Sequence, residues 1–373
     1  MHAYAGADPV MHALSEMAAA EGGDGSCKRC HAPAQRRQDL LAGRIPGRST
    51  DRLEEGISCD VCHSVSGVPP VASIDFLDAV DPYGPKYANL PDPIDTPAHA
   101  SVKRNFYSSS TFCAPCHQID LPSGDGIENT FGEWQSSLLS GMGVECQTCH
   151  MPEYRGRAAT DGPVRDNLHR HEVVGVDYAY EAFRGIDLAA QRDAIRALLS
   201  ASVSVTAELP ASVSAGGDFE IAVTVVNDRT GHSIPSGVSF SREMWVEVTV
   251  REGGDAIYRS GWLKPNGDLV TLSEDPALTG FGSRMFDAAG APTMFTWRAT
   301  RIDDSGLLRF GDSRTGTYVV PVPAGTIGPL TADLALRFRP IKPAIIRAVD
   351  LERLLPIEIF DMWTESVRVE VAP

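Results

Sequence analysis

At 373 residues with a formal net charge of −16, the chain is too long for one small core and too acidic to hold nucleic acid or an anionic membrane through its overall charge. Hydrophobic residues make up 43%, which excludes a disordered or fibrous chain, and no apolar run reaches the ~18 residues that span a bilayer. Aromatic residues are only 7%, a lean supply for the cores of two domains.

Along the chain, Asp8-Pro9 ahead of Val10, Leu14 and Met17 predicts a short helix with Asp as N-cap and Pro in its first turn. Asp8, Glu16 and Glu21 interrupt residues 1–25, so no basic segment with an apolar stretch behind it reads as a secretory leader there. Four copies of one motif follow: Cys27-Lys28-Arg29-Cys30-His31, Cys59-Asp60-Val61-Cys62-His63, Cys113-Ala114-Pro115-Cys116-His117 and Cys146-Gln147-Thr148-Cys149-His150. They use all eight cysteines. Each is expected on a short helix, with turn-rich stretches such as Pro69-Pro70 and Pro91-Asp92-Pro93 between them. Their first cysteines, at 27, 59, 113 and 146, form two close pairs around a longer insert, a weak internal repeat.

Asp187 opens a second predicted helix, with Leu188, Ile195, Leu198 and Leu199 on one face. Beyond residue 202 the period becomes two. Phe219, Ile221, Val223 and Val225 alternate with polar neighbours, as do Met244, Val246, Val248 and Val250, then Leu334, Leu336 and Phe338, and finally Val367, Val369 and Val371. The fold class expected is α+β and multidomain: a mostly α or irregular segment over 1–185 that carries the motifs, a connecting helix over 186–201, and an antiparallel, Ig-like β-sandwich over 202–373.

In Cys-x-x-Cys-His two thiols stand one helical turn apart, placed to add across the two vinyl groups of one haem. The histidine that follows is then carried beneath the iron as its proximal ligand. Zinc knuckles give no reason for a histidine after every second cysteine. A disulfide framework is poorly served by four two-residue spacings, and a thioredoxin-type motif would be single. The expectation is four covalently bound haem c groups. Cys27, Cys30, Cys59, Cys62, Cys113, Cys116, Cys146 and Cys149 attach them, and His31, His63, His117 and His150 bind the irons. Porphyrin would then fill the space that the sparse turn-rich stretches leave. Haem attachment of this kind takes place outside the bacterial cytoplasm, so a periplasmic or extracellular location is expected, with the leader absent from these residues.

Six histidines remain for the sixth position on each iron: His2, His12, His99, His169, His171 and His232. His99 stands just ahead of the third motif, and one of His169 and His171 follows the fourth, with His171 preferred. His232 lies in a Gly/Pro-shaped loop, Thr230-Gly231-His232-Ser233-Ile234-Pro235-Ser236-Gly237. His2 is a further candidate, whereas His12 reads as a solvated helix residue.

These pieces together resemble the multihaem c-type cytochromes related to the tetrahaem cytochromes of nitrifying bacteria, in a subgroup with a C-terminal β-domain. The resemblance rests on Met1-His2-Ala3 before Asp8-Pro9-Val10, on Gly56-Ile57-Ser58 before the second motif, on Pro97-Ala98-His99 leading into Phe112 and the third, and on Met151-Pro152 leading from the fourth to His171. Asn227, the His232 loop and Arg242 extend it into the β-domain, up to about residue 260. It implies that His2, His99, His171 and His232 are distal ligands, and that a leader and a further haem motif stand upstream of Met1 in a longer natural product.

The function expected is single-electron transfer between redox partner proteins through closed, bis-histidine haems, with no side chain acting as acid, base or nucleophile. Two other readings stand beside it. A multihaem oxidoreductase acting on a small nitrogen or sulfur compound would need an iron with an open position, which nothing in the motifs marks. A homo-oligomer or extracellular filament would let one protomer's histidine ligate iron in the next.

Overall fold

The structure, a computed structural model, describes residues 1–23, 26–43, 56–67, 84–183 and 185–372. The Pro69-Pro70 turn lies outside the described residues. The chain divides into two units, Met1–Ile195 with Phe295–Thr300, and Arg196–Met294 with Arg301–Pro373.

The first unit is a series of short helices: α1 (Pro9–Ala20), α2 (Cys27–His31), α3 (Pro33–Leu41), α4 (Cys59–His63), α5 (Ala114–His117), α6 (Thr130–Gln135), α7 (Leu138–Gly141) and α8 (Cys146–His150). Asp8 caps α1, its Oδ1 accepting from the amides of Val10 and Met11 at 2.8 and 3.5 Å. Each motif's histidine ends a single helical turn, the geometry that sets two thiols and an imidazole on one side of the backbone. Three strand pairs complete the unit. β1 (Lys86–Ala88) and β2 (Ser101–Lys103) run parallel, whereas β3 (Ile119–Asp120) with β4 (Gly126–Glu128) and β5 (Glu153–Arg157) with β6 (Val164–His169) are antiparallel. Many of its buried apolar residues are small, among them Ala18, Ala19, Ala32, Val61, Val65, Ala114 and Ala179. Among the described residues no helix is long and apolar enough to cross a membrane.

Helix α9 (Leu188–Ser200) follows Asp187, whose Oδ1 accepts from the amides of Ala189 and Ala190 at 3.0 and 3.1 Å. The division into units falls inside this helix.

The second unit is built from β7 (Ser204–Glu208), β8 (Ser212–Ser214), β9 (Asp218–Val226), β10 (Glu243–Glu252), β11 (Asp255–Ser260), β12 (Gly280–Phe281), β13 (Arg284–Phe286), β14 (Pro292–Thr293), β15 (Arg301–Asp303), β16 (Ser313–Pro321), β17 (Leu330–Arg339) and β18 (Phe360–Ala372), with one short helix, α10 (Pro343–Ala348). One sheet has the order β11-β10-β17-β18-β8, with β12 also on β10; a second is β16-β9-β7 and a third β14-β13-β15. In β9 the side chains of Phe219, Ile221, Val223 and Val225 are buried, and Glu220 between them is exposed. That is the period-two signature of a half-covered strand. Pairing is antiparallel except at one edge, where the three-residue β8 lies parallel to the end of β18. β10 is deeply covered along most of its length. Met244, Trp245, Val246, Val248 and Val250 are all buried, and Trp245 Nε1 donates to Gly261 O at 2.9 Å. Opposite Val246, Leu336 is fully buried, so Leu336→Ala is expected to cost about 2–5 kcal/mol through lost burial and a residual cavity. A chemical-denaturation midpoint read by circular dichroism checks it.

Residues 295–300 fall between β14 and β15 in sequence yet belong to the first unit. They are held there by Glu21, the residue that ends α1. Its Oε2 accepts from Trp297 Nε1 and Arg298 Nε, both at 2.8 Å, and its Oε1 from Arg298 Nη2. The Arg298 guanidinium, and then the Trp297 indole, pull the Glu21 carboxyl down to about 2.

Candidate haem-attachment sites

Each motif helix is docked by residues outside the motif. For α4, Tyr107 Oη donates to the carbonyls of Cys62 and Val65 at 2.7 and 3.0 Å, satisfying carbonyls that the end of a short helix leaves open. Lys86 Nζ donates to Ser64 Oγ at 2.8 Å and stands 3.0 Å from Asp60 Oδ1. For α8, the amide of Cys146 donates to Ser110 Oγ at 2.9 Å, and Gln147 Nε2 donates to the carbonyls of Tyr107 and Ser109 at 3.0 and 2.9 Å. The segment leading into the third motif therefore grips the fourth. For α2, buried Lys28 stands 3.5 Å from Asp39 of α3, which also accepts from Gln35 Nε2 at 2.7 Å.

None of the eight cysteines is in a disulfide. Cys30 lies beside Cys116 and Cys113 beside Cys146, so the third motif neighbours the first and the fourth. A four-thiolate zinc geometry is not built: among the described residues no three His, Cys, Asp or Glu side chains converge as they would on a metal ion.

The imidazoles can be sorted by which nitrogen is used. A carbonyl oxygen only accepts, so a ring nitrogen bonded to one must carry the proton, and the other nitrogen keeps its lone pair for a metal. His63 Nδ1 donates to Tyr87 O at 2.7 Å, and His150 Nδ1 to Val174 O at 2.8 Å. Both keep Nε2 as the ligand atom. Burial holds both imidazoles below their ordinary value, the neutral form that ligation requires. His99 Nδ1 donates to Ala100 O at 3.1 Å and His232 Nδ1 to Ser233 O at 2.8 Å, which leaves the same nitrogen available. His12 is the opposite case: its Nε2 donates to Gly6 O at 2.6 Å, which leaves Nδ1, not Nε2, with the lone pair.

Two facing pairs emerge. The ring centres of His2 and His117 are 6.3 Å apart, and those of His63 and His171 are 6.1 Å apart. Two imidazoles bonded from opposite sides to one metal ion, each by a bond of about 2.0–2.1 Å, place their ring centres about 6.3 Å apart. Both pairs therefore fit a six-coordinate haem iron between them. Burial and then the neighbouring His117 push His2 down to about 4, so it is neutral at pH 7. His169 has the same Nδ1 pattern, donating to Met151 O at 2.6 Å, but its Nε2 is turned toward the Glu153 carboxylate at 3.8 Å. His99 sits on a tight turn closed by Thr96, whose Oγ1 accepts from the amides of Ala98 and His99, each at 3.2 Å.

His232 belongs to the second unit, on a loop fixed from several sides. Buried Asn227 donates through Nδ2 to the carbonyls of His232 and Leu308 at 2.8 and 2.9 Å, and Thr230 Oγ1 donates to Asn227 Oδ1 at 2.6 Å. Ile234 and Leu308 exchange backbone hydrogen bonds of 2.9 and 3.0 Å.

Some residues around the sites carry no sequence signal of their own. Gly56 packs directly on the segment that bears His2: Ile57 N donates to His2 O at 2.9 Å and Gly56 N to Ala3 O at 3.0 Å. A Cβ at Gly56 would stand 2.4 Å from His2 O. Glu128 faces His117, with Oε1 3.6 Å from Nδ1. Burial raises the Glu128 carboxyl, but His117 and the Thr130 donors more than offset it, leaving it below the usual range. Tyr107, stacked 5.8 Å from the His63 ring at an interplanar angle of 10°, is a third. Gly56 was at least visible as part of Gly56-Ile57-Ser58; nothing in the pattern marks Glu128 or Tyr107.

The comparisons with known proteins bear on the architecture. No protein-family model matches the sequence, and no curated protein matches it. Among solved structures, the penta-haem cytochrome c552 from Thermochromatium tepidum superposes with a TM-score of 0.62 at 19% identity, covering 92% of this chain and 83% of that one. The fold is that of a multihaem cytochrome. A CARDB domain from Pyrococcus furiosus, solved with di-metal ions, aligns over 46% of this chain and 87% of its own at 12% identity, with a TM-score of 0.20, and bears on nothing further.

Proposed function

We propose that the chain is an exported tetrahaem c-type cytochrome that passes single electrons between redox partner proteins. The observation that carries this reading is the pair of facing imidazoles, His2 with His117 and His63 with His171, each joining a motif histidine to one from a distant part of the chain. Bound haem would supply the reversible one-electron iron couple. The chain's residues do the rest. Cys27 and Cys30, Cys59 and Cys62, Cys113 and Cys116, and Cys146 and Cys149 hold four haems, and His31, His63, His117 and His150 bind below. His2 would close the third site and His171 the second, and His99 and His232 remain the candidates for further sixth ligands. Imidazole on both sides excludes water and exogenous ligands from the iron, which suits a carrier better than an enzyme. Cys30 lies beside Cys116 and Cys113 beside Cys146, which would set the haems of the first, third and fourth motifs near one another and keep electron steps short.

The count of four rests on the motifs; the structural neighbour is described as carrying five haems. We read the two larger sheets of the second unit as the faces of an Ig-like sandwich that presents His232. Electron donors and acceptors are expected to be other redox proteins outside the cytoplasm.

The test is the holoprotein produced with c-type haem maturation, its haems counted by intact mass and its iron examined by absorption spectroscopy. Four haems, a wholly low-spin ferric spectrum unchanged by cyanide, and reduction in one-electron steps are expected. Bound zinc without haem would overturn the cofactor. A high-spin iron that takes up cyanide would favour the oxidoreductase.

A further inference from the structure

The third motif carries its own electrostatic device. After His117 the chain makes a hairpin: Leu121 N donates to Asp125 O at 2.7 Å, Gly124 takes a φ of 91°, and β4 returns beside β3. Gln118 Oε1 accepts from the amide of Gly132 at 2.9 Å, which draws the start of α6 back to the motif. The hairpin thus delivers Glu128 to the histidine eleven residues before it in sequence, with Oε1 3.6 Å from His117 Nδ1.

At that distance the carboxylate acts on the ring through its charge rather than through a direct hydrogen bond. The carboxylate is held in place: Thr130 donates to the same Oε1 through its hydroxyl at 2.6 Å and its amide at 3.3 Å. Glu128 is only 9% exposed, so its charge is weakly screened by solvent. At the second and fourth motifs the equivalent nitrogen meets a neutral backbone carbonyl, of Tyr87 and of Val174. A fixed negative charge behind a metal-ligating imidazole makes the ring a stronger donor and favours the more positive metal state.

Building on the tetrahaem reading, we infer that Glu128 is a positioning residue that stabilises the ferric form of the haem held by Cys113, Cys116 and His117, and so lowers its reduction potential. The electron balance is simple: one electron reduces Fe(III) to Fe(II), the site's charge falls by one, and a nearby carboxylate disfavours that state.

The experiment is a spectroelectrochemical titration of the holoprotein and of Glu128→Gln, with haems counted by intact mass in both. The expected result is that one of the four one-electron equilibria shifts about tenfold toward the ferrous form, equivalent to 59 mV, while the others stay nearly fixed. The low-spin electron paramagnetic resonance signal of one haem should change with it, which a purely structural role would not produce. Glu128→Asp, which keeps the charge but withdraws it, should raise the same potential by less. Four unchanged potentials in a fully loaded Gln variant would overturn the inference. A wild-type protein without four haems would instead overturn the reading beneath it.

Discussion

His171→Ala is expected to open one haem iron of the holoprotein, and His169→Ala to open none. The two residues are separated only by Arg170, so sequence distance cannot choose between them. Geometry can. The His171 ring stands 6.1 Å from that of His63, the spacing of two imidazoles on one metal ion, whereas His169 is turned to Met151 O at 2.6 Å and toward Glu153. Removing a sixth ligand that nothing nearby replaces converts a closed low-spin iron into one that binds water or added anions. The measurement is a cyanide titration followed by absorbance. One equivalent bound per molecule of His171→Ala and none for His169→Ala is the expected outcome. Uptake by His169→Ala alone would reverse the assignment.

Gly56→Ala is expected to loosen the third site from a distance. The added methyl would stand 2.4 Å from His2 O, 2.7 Å from Gly6 N and 3.0 Å from Ala5 N, and all three are backbone atoms with no rotamer to escape through. Restoring ordinary contact requires the His2 segment to move by about 1 Å. A metal–ligand arrangement tolerates displacements of about 0.5 Å. The third haem should therefore gain a high-spin fraction that added imidazole returns to low spin. Gly67→Ala is the control, since a Cβ there meets nothing within 4 Å. A Gly56→Ala spectrum identical to that of the Gly67→Ala protein would count against His2 as the ligand of that site.

Much of this could be read from residue patterns, for reasons that are local. Cys-x-x-Cys-His is complete within five residues, and a strand such as β9 declares itself by alternating Phe219, Ile221, Val223 and Val225 with more polar neighbours. Asp8-Pro9 likewise announces α1, because a cap bonds to amides two and three residues on. What the pattern could not supply were pairings set by tertiary folding. His2 meets His117 across most of the first unit's chain, and a lone histidine looks alike whether it closes an iron or, like His12, bonds a carbonyl through Nε2. Glu128 reads as one acidic residue among many until the hairpin brings it back. The parallel β8 edge, three residues with two serines, is too short for any period to show.

The placement of residues 295–300 has a consequence for how the molecule comes into being. Chains are made from the N-terminal side onward, and domains ordinarily fold in that order as they emerge. Here Glu21, at the end of the first long helix, takes its partners from Trp297 and Arg298. The earliest part of the protein to be synthesised is thus finished by a piece made after most of the second unit. A fragment stopping at residue 195 would hold the four Cys-x-x-Cys-His motifs and still lack residues 295–300 of its own unit.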